Sequence, residues 1–227
     1  METTRAALAE FVATFAVVLI AAGAAITGGF GLDTTGIALA YGFAVAFALA
    51  ATAHLRAGQA NPAITVALWV IGRASTGRAF IFVLAQAIGA LAAGFLLRYI
   101  GPGTAFDAAT GGTPAVVSGL PIGKAIVIEA VSTFLVVFVY IATVADARGA
   151  RTRLGGLWVG LAVAATGLAF SAYTGVAINP ARWFGPALAS GDWTDWYVWL
   201  VGPFSGGIIA AVIYATAFLH DEPLETP

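Results

Sequence analysis

The chain has 227 residues, 60% of them hydrophobic and only 9% charged, with ten Lys and Arg against eleven Asp and Glu, a net charge of −1 and a mean hydropathy of +0.95. A soluble domain carries about 25% charged residues, so water is not the main solvent of this chain. Without cysteine there is no disulfide framework or thiolate metal site, two histidines make no cluster, and no basic patch interleaves with aromatics, so cofactor, metal and nucleic-acid binding have no support.

Apolar runs of about twenty residues predict membrane spans at about 6–27, 36–54, 79–99, 124–145, 154–171 and 197–218. The first run holds Glu10, is flanked by Glu2, and is too long for a cleaved signal core. The second ends near His54, read as an anchor for the following loop or an interface residue. Asn61-Pro62-Ala63 then opens a segment too short to cross: proline suits the first turn of a helix, with asparagine as its cap. About eleven helical residues fit between 61 and 71, roughly 16 Å, about half of a ~30 Å hydrocarbon core. In the third span, Gly89 and Gly94 suit close helix approach. Residues 100–122, rich in Gly, Pro and Thr, read as a linker, and the fourth span carries Glu129. The short basic loop 146–153 reads as solvated charge, with a gate as the alternative. After the fifth span, Asn179-Pro180-Ala181 opens a second half-helix reaching Ala189, with Arg182 directly behind it. Trp193, Trp196, Tyr197 and Trp199 form an aromatic belt where the last span begins, Gly206 and Gly207 suit its packing, and a short tail follows from 220 to 227.

An even number of spans puts both termini on one side. Arg5, Arg56, Arg73, Arg78, Arg148, Arg151 and Arg153 fall on that side, against Lys124, Arg182 and Arg98 near the other, which makes the termini cytoplasmic. The sequence also repeats itself. Ala9-Glu10-Phe11-Val12-Ala13-Thr14-Phe15 matches Ile128-Glu129-Ala130-Val131-Ser132-Thr133-Phe134 at an offset of 119, and the two Asn-Pro-Ala copies lie 118 apart. One domain over 1–227 follows, with repeat 1 at about 6–99 and repeat 2 at about 123–219. Three spans per half force the second half to enter from the opposite face, an inverted repeat. The half-helices then point at each other.

Irregular backbone at membrane depth survives only where protein buries it or a watery cavity wets it, so two re-entrant loops imply a lumen. Half-helix N-termini at the midplane carry positive partial charge that repels cations and protons, and Asn61 and Asn179 add amide donors. An arginine at Arg182 is costly unless it faces a polar cavity. These features imply passage of small neutral solutes without proton leakage. A coupled transporter would need a midplane ion site, for which Glu10 and Glu129 are the few candidates, and no nucleophile, base and orienting group converge as an enzyme requires.

The two boxes, Ala9-Glu10-Phe11, the stretch from Tyr173 to Arg182, Phe184-Gly185-Pro186-Ala187 and Val201-Gly202-Pro203 together resemble the aquaporin or major intrinsic protein family over nearly the whole length. The resemblance implies an all-α integral membrane fold, a right-handed bundle of six transmembrane helices plus two re-entrant half-helices. It implies a homotetramer in the cell membrane, and the compact termini suggest a microbial member. It places Tyr41, Gly167, Val176 and Arg182 at the selectivity constriction, with glycine at 167, where water channels carry histidine, expected to widen it. It makes Glu10 and Glu129 braces for the re-entrant loops rather than a proton relay. Gln59 stands where relatives often have histidine, in contact with solute or with the loop. Glycerol facilitators carry aspartate after the arginine, whereas this chain has Trp183. Water is the expected permeant, with glycerol, urea, ammonia and hydrogen peroxide as candidates. The alternative is a facilitator whose main cargo is a solute other than water.

Overall fold

In the computed structural model of the chain, residues 2–55, 57–151 and 153–219 are described; Arg56, His220 and the tail lie outside them. Among the described residues six helices are long and apolar enough to cross a membrane: α1 (Glu2–Thr27), α2 (Thr34–Thr52), α4 (Thr76–Ile100), α6 (Ile122–Tyr140), α8 (Gly155–Thr174) and α10 (Val198–Ala217). Between them lie the half-helices α3 (Pro62–Val70) and α9 (Pro180–Ser190), and the short helices α5 (Gly103–Ala108) and α7 (Ala147–Ala150). No strand occurs among the described residues. At the starts of α2 and α4 a side chain takes up a free N–H group. Asp33 caps α2 through Gly36 N at 2.8 Å, and Ser75 caps α4 through Arg78 N at 3.3 Å.

The packing repeats across the two halves. α1 lies on α4 as α6 lies on α10, while α2 and α8 cross each other at the pseudo-twofold centre. Missing side chains set these distances. A methyl placed on Gly89 would sit 2.4 Å from Phe11 O, and one on Gly206 would sit 2.0 Å from Ala130 O, at matching positions of the two repeats. At the centre, Gly42 and Gly160 face one another's carbonyl oxygens, with a methyl on either falling within 2.6 Å. Such backbone contact holds spans together where lipid gives no hydrophobic drive.

The loop after α6 keeps Arg148, Arg151 and Arg153 exposed, as solvated charge would be, but buries Asp146. A π-helical turn (Ile141–Ala145) ends the span, and the following Asp146 side chain is only 3% exposed. Its carboxylate accepts from Arg148 N and Nε, both at 2.9 Å, from Arg148 Nη2, and from Tyr214 Oη of α10 at 2.9 Å. Arg148 Nη2 also donates to Phe218 O at 2.7 Å, which ties the loop to the end of the last span. The hydrogen bonds from the Arg148 side chain hold the Asp146 carboxyl well below the usual carboxylate range. Its stabilising contribution is therefore present above the unfolded-state value of ~3.9 and is lost only as pH falls through the depressed folded-state value. Thermal unfolding of the detergent-solubilised protein, followed by tryptophan fluorescence, is expected to show Asp146→Asn less stable than wild type at pH 7, the difference narrowing steadily below about pH 4.

Candidate pore site

The two Asn-Pro starts meet at the centre of the molecule. Asn61 Oδ1 accepts from Ala63 N at 2.8 Å, and Asn179 Oδ1 from Ala181 N at 2.9 Å, so each asparagine caps its half-helix. Their amide nitrogens cross over: Asn61 Nδ2 donates to Ile178 O at 3.0 Å and Asn179 Nδ2 to Ala60 O at 2.8 Å. An amide carries two hydrogens, so each keeps a second one for the cavity between them. Tyr41, Gln59, Ala60, Asn61, Ile178 and Asn179 are among the residues that line it. Measured as space open to the centre of a water, it holds about 10 Å³, the room of a single molecule.

The loops entering this point are strained and braced. Gly58, Ala60, Val176 and Ile178 all have positive φ, at 92°, 49°, 40° and 48°, which for the two β-branched residues costs about 1–3 kcal/mol each. Two fully buried carboxylates hold them in place. Glu10 accepts from Gly58 N, Gln59 N and Ala60 N at 2.7–2.8 Å and from Gln86 Nε2 at 2.7 Å. Glu129 accepts from Thr174 Oγ1 at 2.7 Å, Ala177 N at 3.1 Å and Ile178 N at 2.8 Å.

Arg182 is 3% exposed, and its Nη1 donates to Gly112 O at 2.8 Å. That carbonyl belongs to the stretch first read as a mere linker. Gly112, at φ 76°, lies against Ala22 of α1, and only a residue without Cβ fits there. The consecutive glycines 111 and 112 were the one sequence signal for it. Arg98 Nη1 donates to Ala189 O and so meets the last carbonyls of α9, where a cation suits the negative end of the helix. Tyr41 Oη donates to Ala177 O at 2.7 Å, and Val176 is 1% exposed beside it.

Gly167 lies where α8 packs closely on α2. The first atom of a side chain there would fall 2.9 Å from Ala38 Cβ and 3.3 Å from Ala38 Cα, so the missing side chain is spent on drawing α8 against α2. Gly167→Ala is therefore expected to cost about 1–3 kcal/mol through forced separation of α2 and α8, read as a lowered melting temperature in detergent. His54 is exposed and lines a wide cavity of about 500 Å³ with Ala57, Gly58, Arg153 and Gly155. Gln59 lines the narrow cavity, and its Oε1 accepts from Thr65 Oγ1 of α3 at 2.6 Å. Trp183 packs edge-on to Trp193 at 5.4 Å and lines a lateral apolar cavity behind the boxes, not the narrow one. Among the described residues no group of acidic, His or Cys side chains could hold a metal ion.

The family described as "Major intrinsic protein" matches residues 1–214. Aquaporin TIP4-3 of Zea mays is 39% identical over 96% of this chain and 89% of its own length, and Aquaporin TIP2-1 of Arabidopsis thaliana is 38% identical over the same shares. The X-ray structure of the aquaglyceroporin from Plasmodium falciparum superposes with a TM-score of 0.83, covering 96% of this chain and 97% of that one at 23% identity, a likeness of fold. With the family match spanning both boxes and all but the end of the chain, this protein belongs to the major intrinsic protein family.

Proposed function

We propose that the protein is a passive channel, not an enzyme, for water and other small neutral solutes, excluding protons and ions. The observation that carries this reading is the crossed pair of asparagine amides, Asn61 to Ile178 O and Asn179 to Ala60 O, beside a cavity with room for about one water. A molecule passing there offers its oxygen to the two remaining amide hydrogens and is turned away from relaying a proton, while the two helix N-termini repel cations. Tyr41, Gly167, Val176 and Arg182 form the selectivity constriction, and Glu10 and Glu129 keep the loops in their strained shape. Both relatives are named aquaporins, which supports water as a permeant. They come from plants and lend no support to a microbial source.

The chain acts as one domain over 1–227, with repeats at about 6–99 and 123–219. Exposed apolar faces on the spans suit a bilayer and a homotetramer with one pore per subunit. The arginine distribution favours cytoplasmic termini, and a cell-membrane setting goes with that orientation. Stopped-flow light scattering on proteoliposomes tests the reading: water efflux is expected to be fast, with an activation energy below that of empty vesicles. Re-swelling in glycerol then sorts the alternatives. Negligible re-swelling means that Tyr41 and Arg182 close the path to larger solutes, and fast re-swelling makes this a broad small-solute facilitator.

A further inference from the structure

We propose that Gln59 presents its amide N–H groups to the conduit as a third hydrogen-bond donor beside Asn61 and Asn179, and that Glu10 fixes this polarity through Gln86 and Thr65. The proposal rests on the channel reading and adds to it a device that sets which end of a permeant enters first.

The direction of each bond follows from Glu10 outward. Its side chain is fully buried and receives four donors: Gly58 N and Gln59 N on Oε1, Ala60 N and Gln86 Nε2 on Oε2. Four donors converging on two oxygens is the environment of an ionised carboxylate, which can only accept. The Gln86 amide must therefore turn its nitrogen toward Glu10. The second hydrogen of that nitrogen points at Thr65 Oγ1, 2.9 Å away. Thr65 Oγ1 thus accepts from Gln86 and has one proton to give. Its acceptors are Gln59 Oε1 at 2.6 Å, Asn61 O at 3.2 Å and Gln86 Oε1 at 3.4 Å, and the shortest of them takes the proton. With its oxygen engaged, the Gln59 amide has Nε2 left, on a side chain that lines the narrow cavity together with Asn61 and Asn179.

The consequence is chemical. All three amides around the narrow point offer hydrogens, so a permeant enters with a lone pair forward. The second half has no equivalent. The repeat offset of 118 puts Ala177 opposite Gln59 and Trp183 opposite Thr65, so the extra donor stands on the first loop only. Thr65 and Gln86 are positioning residues: they act through Gln59.

Water permeability of proteoliposomes holding wild type, Gln59→Leu, Thr65→Val, Thr65→Ser and the Gln59→Leu/Thr65→Val pair tests this. Gln59→Leu removes the donor, and Thr65→Val, close in shape, removes only the hydroxyl that holds the amide. Each is expected to lower water permeability about fivefold, equivalent to about 1 kcal/mol. Thr65→Ser is expected to restore most of the wild-type rate, and Thr65→Val to add nothing in the Gln59→Leu background. Equal rates for Thr65→Val, Gln59→Leu and wild type would overturn the proposal, as would losses that multiply in the pair, because Thr65 would then act independently of Gln59. Should Thr65→Val fail to insert, Gln86→Leu enters the same cycle in its place. Wild-type vesicles no faster than empty ones would instead reject the channel reading itself.

Discussion

Replacing Glu129 with alanine is expected to collapse the second re-entrant loop, with a melting temperature lowered by roughly 10 °C or more and water conduction lost. The carboxylate is fully buried and accepts from Thr174 Oγ1, Ala177 N and Ile178 N. Alanine leaves these three donors buried and unpaired, at about 1–3 kcal/mol each, against a total stability of about 5–15 kcal/mol for a domain. The strain adds to the loss. Val176 and Ile178 hold φ values of 40° and 48° only because the loop is pinned on both sides, and a released loop relaxes toward negative φ. Glu129→Gln keeps one acceptor oxygen but sets an NH₂ against a donor, so an intermediate loss is expected. Glu10→Ala should behave like Glu129→Ala, since Glu10 holds Gly58, Gln59 and Ala60 in the same manner. The check is thermal unfolding in detergent alongside stopped-flow flux. Wild-type melting with lost conduction would point to a direct role in transport rather than bracing.

The half-helices were legible because Asn-Pro is a local signal: the cap and the first turn sit in adjacent residues. The spans were legible because hydrocarbon solvent selects long apolar runs, and their observed ends fall within about five residues of the expected ones, the widest gap being α6, which ends at Tyr140. The repeat went further, since equivalence of Glu10 and Glu129 in sequence reappears as matching bonds to 58–60 and to 177–178. Non-local backbone chemistry was not legible. The partner of Arg182 is a carbonyl, and every residue has one, so only the chain path selects Gly112. At Gly167 the sequence shows only a missing side chain, and the neighbour that makes the position a close contact is Ala38, 129 positions away. Asp146 was read as solvated because it stands among arginines in a short loop, whereas Tyr214 reaches it from the far end of the chain. In each case the deciding atom belongs to an element remote in sequence.

Arg182→Ala is expected to raise glycerol permeability relative to water by tenfold or more and to admit cations. The guanidinium is buried, stands three residues into α9 from Asn179, and spans from that half-helix to Gly112 O; in the proposed constriction its volume and its charge would both stand in the path of a permeant. A unit charge about 4 Å from a passing cation opposes it by about 4 kcal/mol at an effective dielectric of 20, close to three decades in rate. Truncation removes this barrier and leaves a void that water fills beside the Gly112 carbonyl. The fold should survive, because α9 keeps its asparagine cap and Arg98 still meets its last carbonyls. Arg182→Lys separates the two effects: it keeps the charge but lacks the planar fork that reaches the carbonyl. Glycerol re-swelling should therefore rise in both variants, while sodium or proton leak, followed with an entrapped indicator dye, should appear only in Arg182→Ala. An unchanged glycerol-to-water ratio in both would remove Arg182 from the constriction and leave the asparagine pair as the narrowest point of the pore.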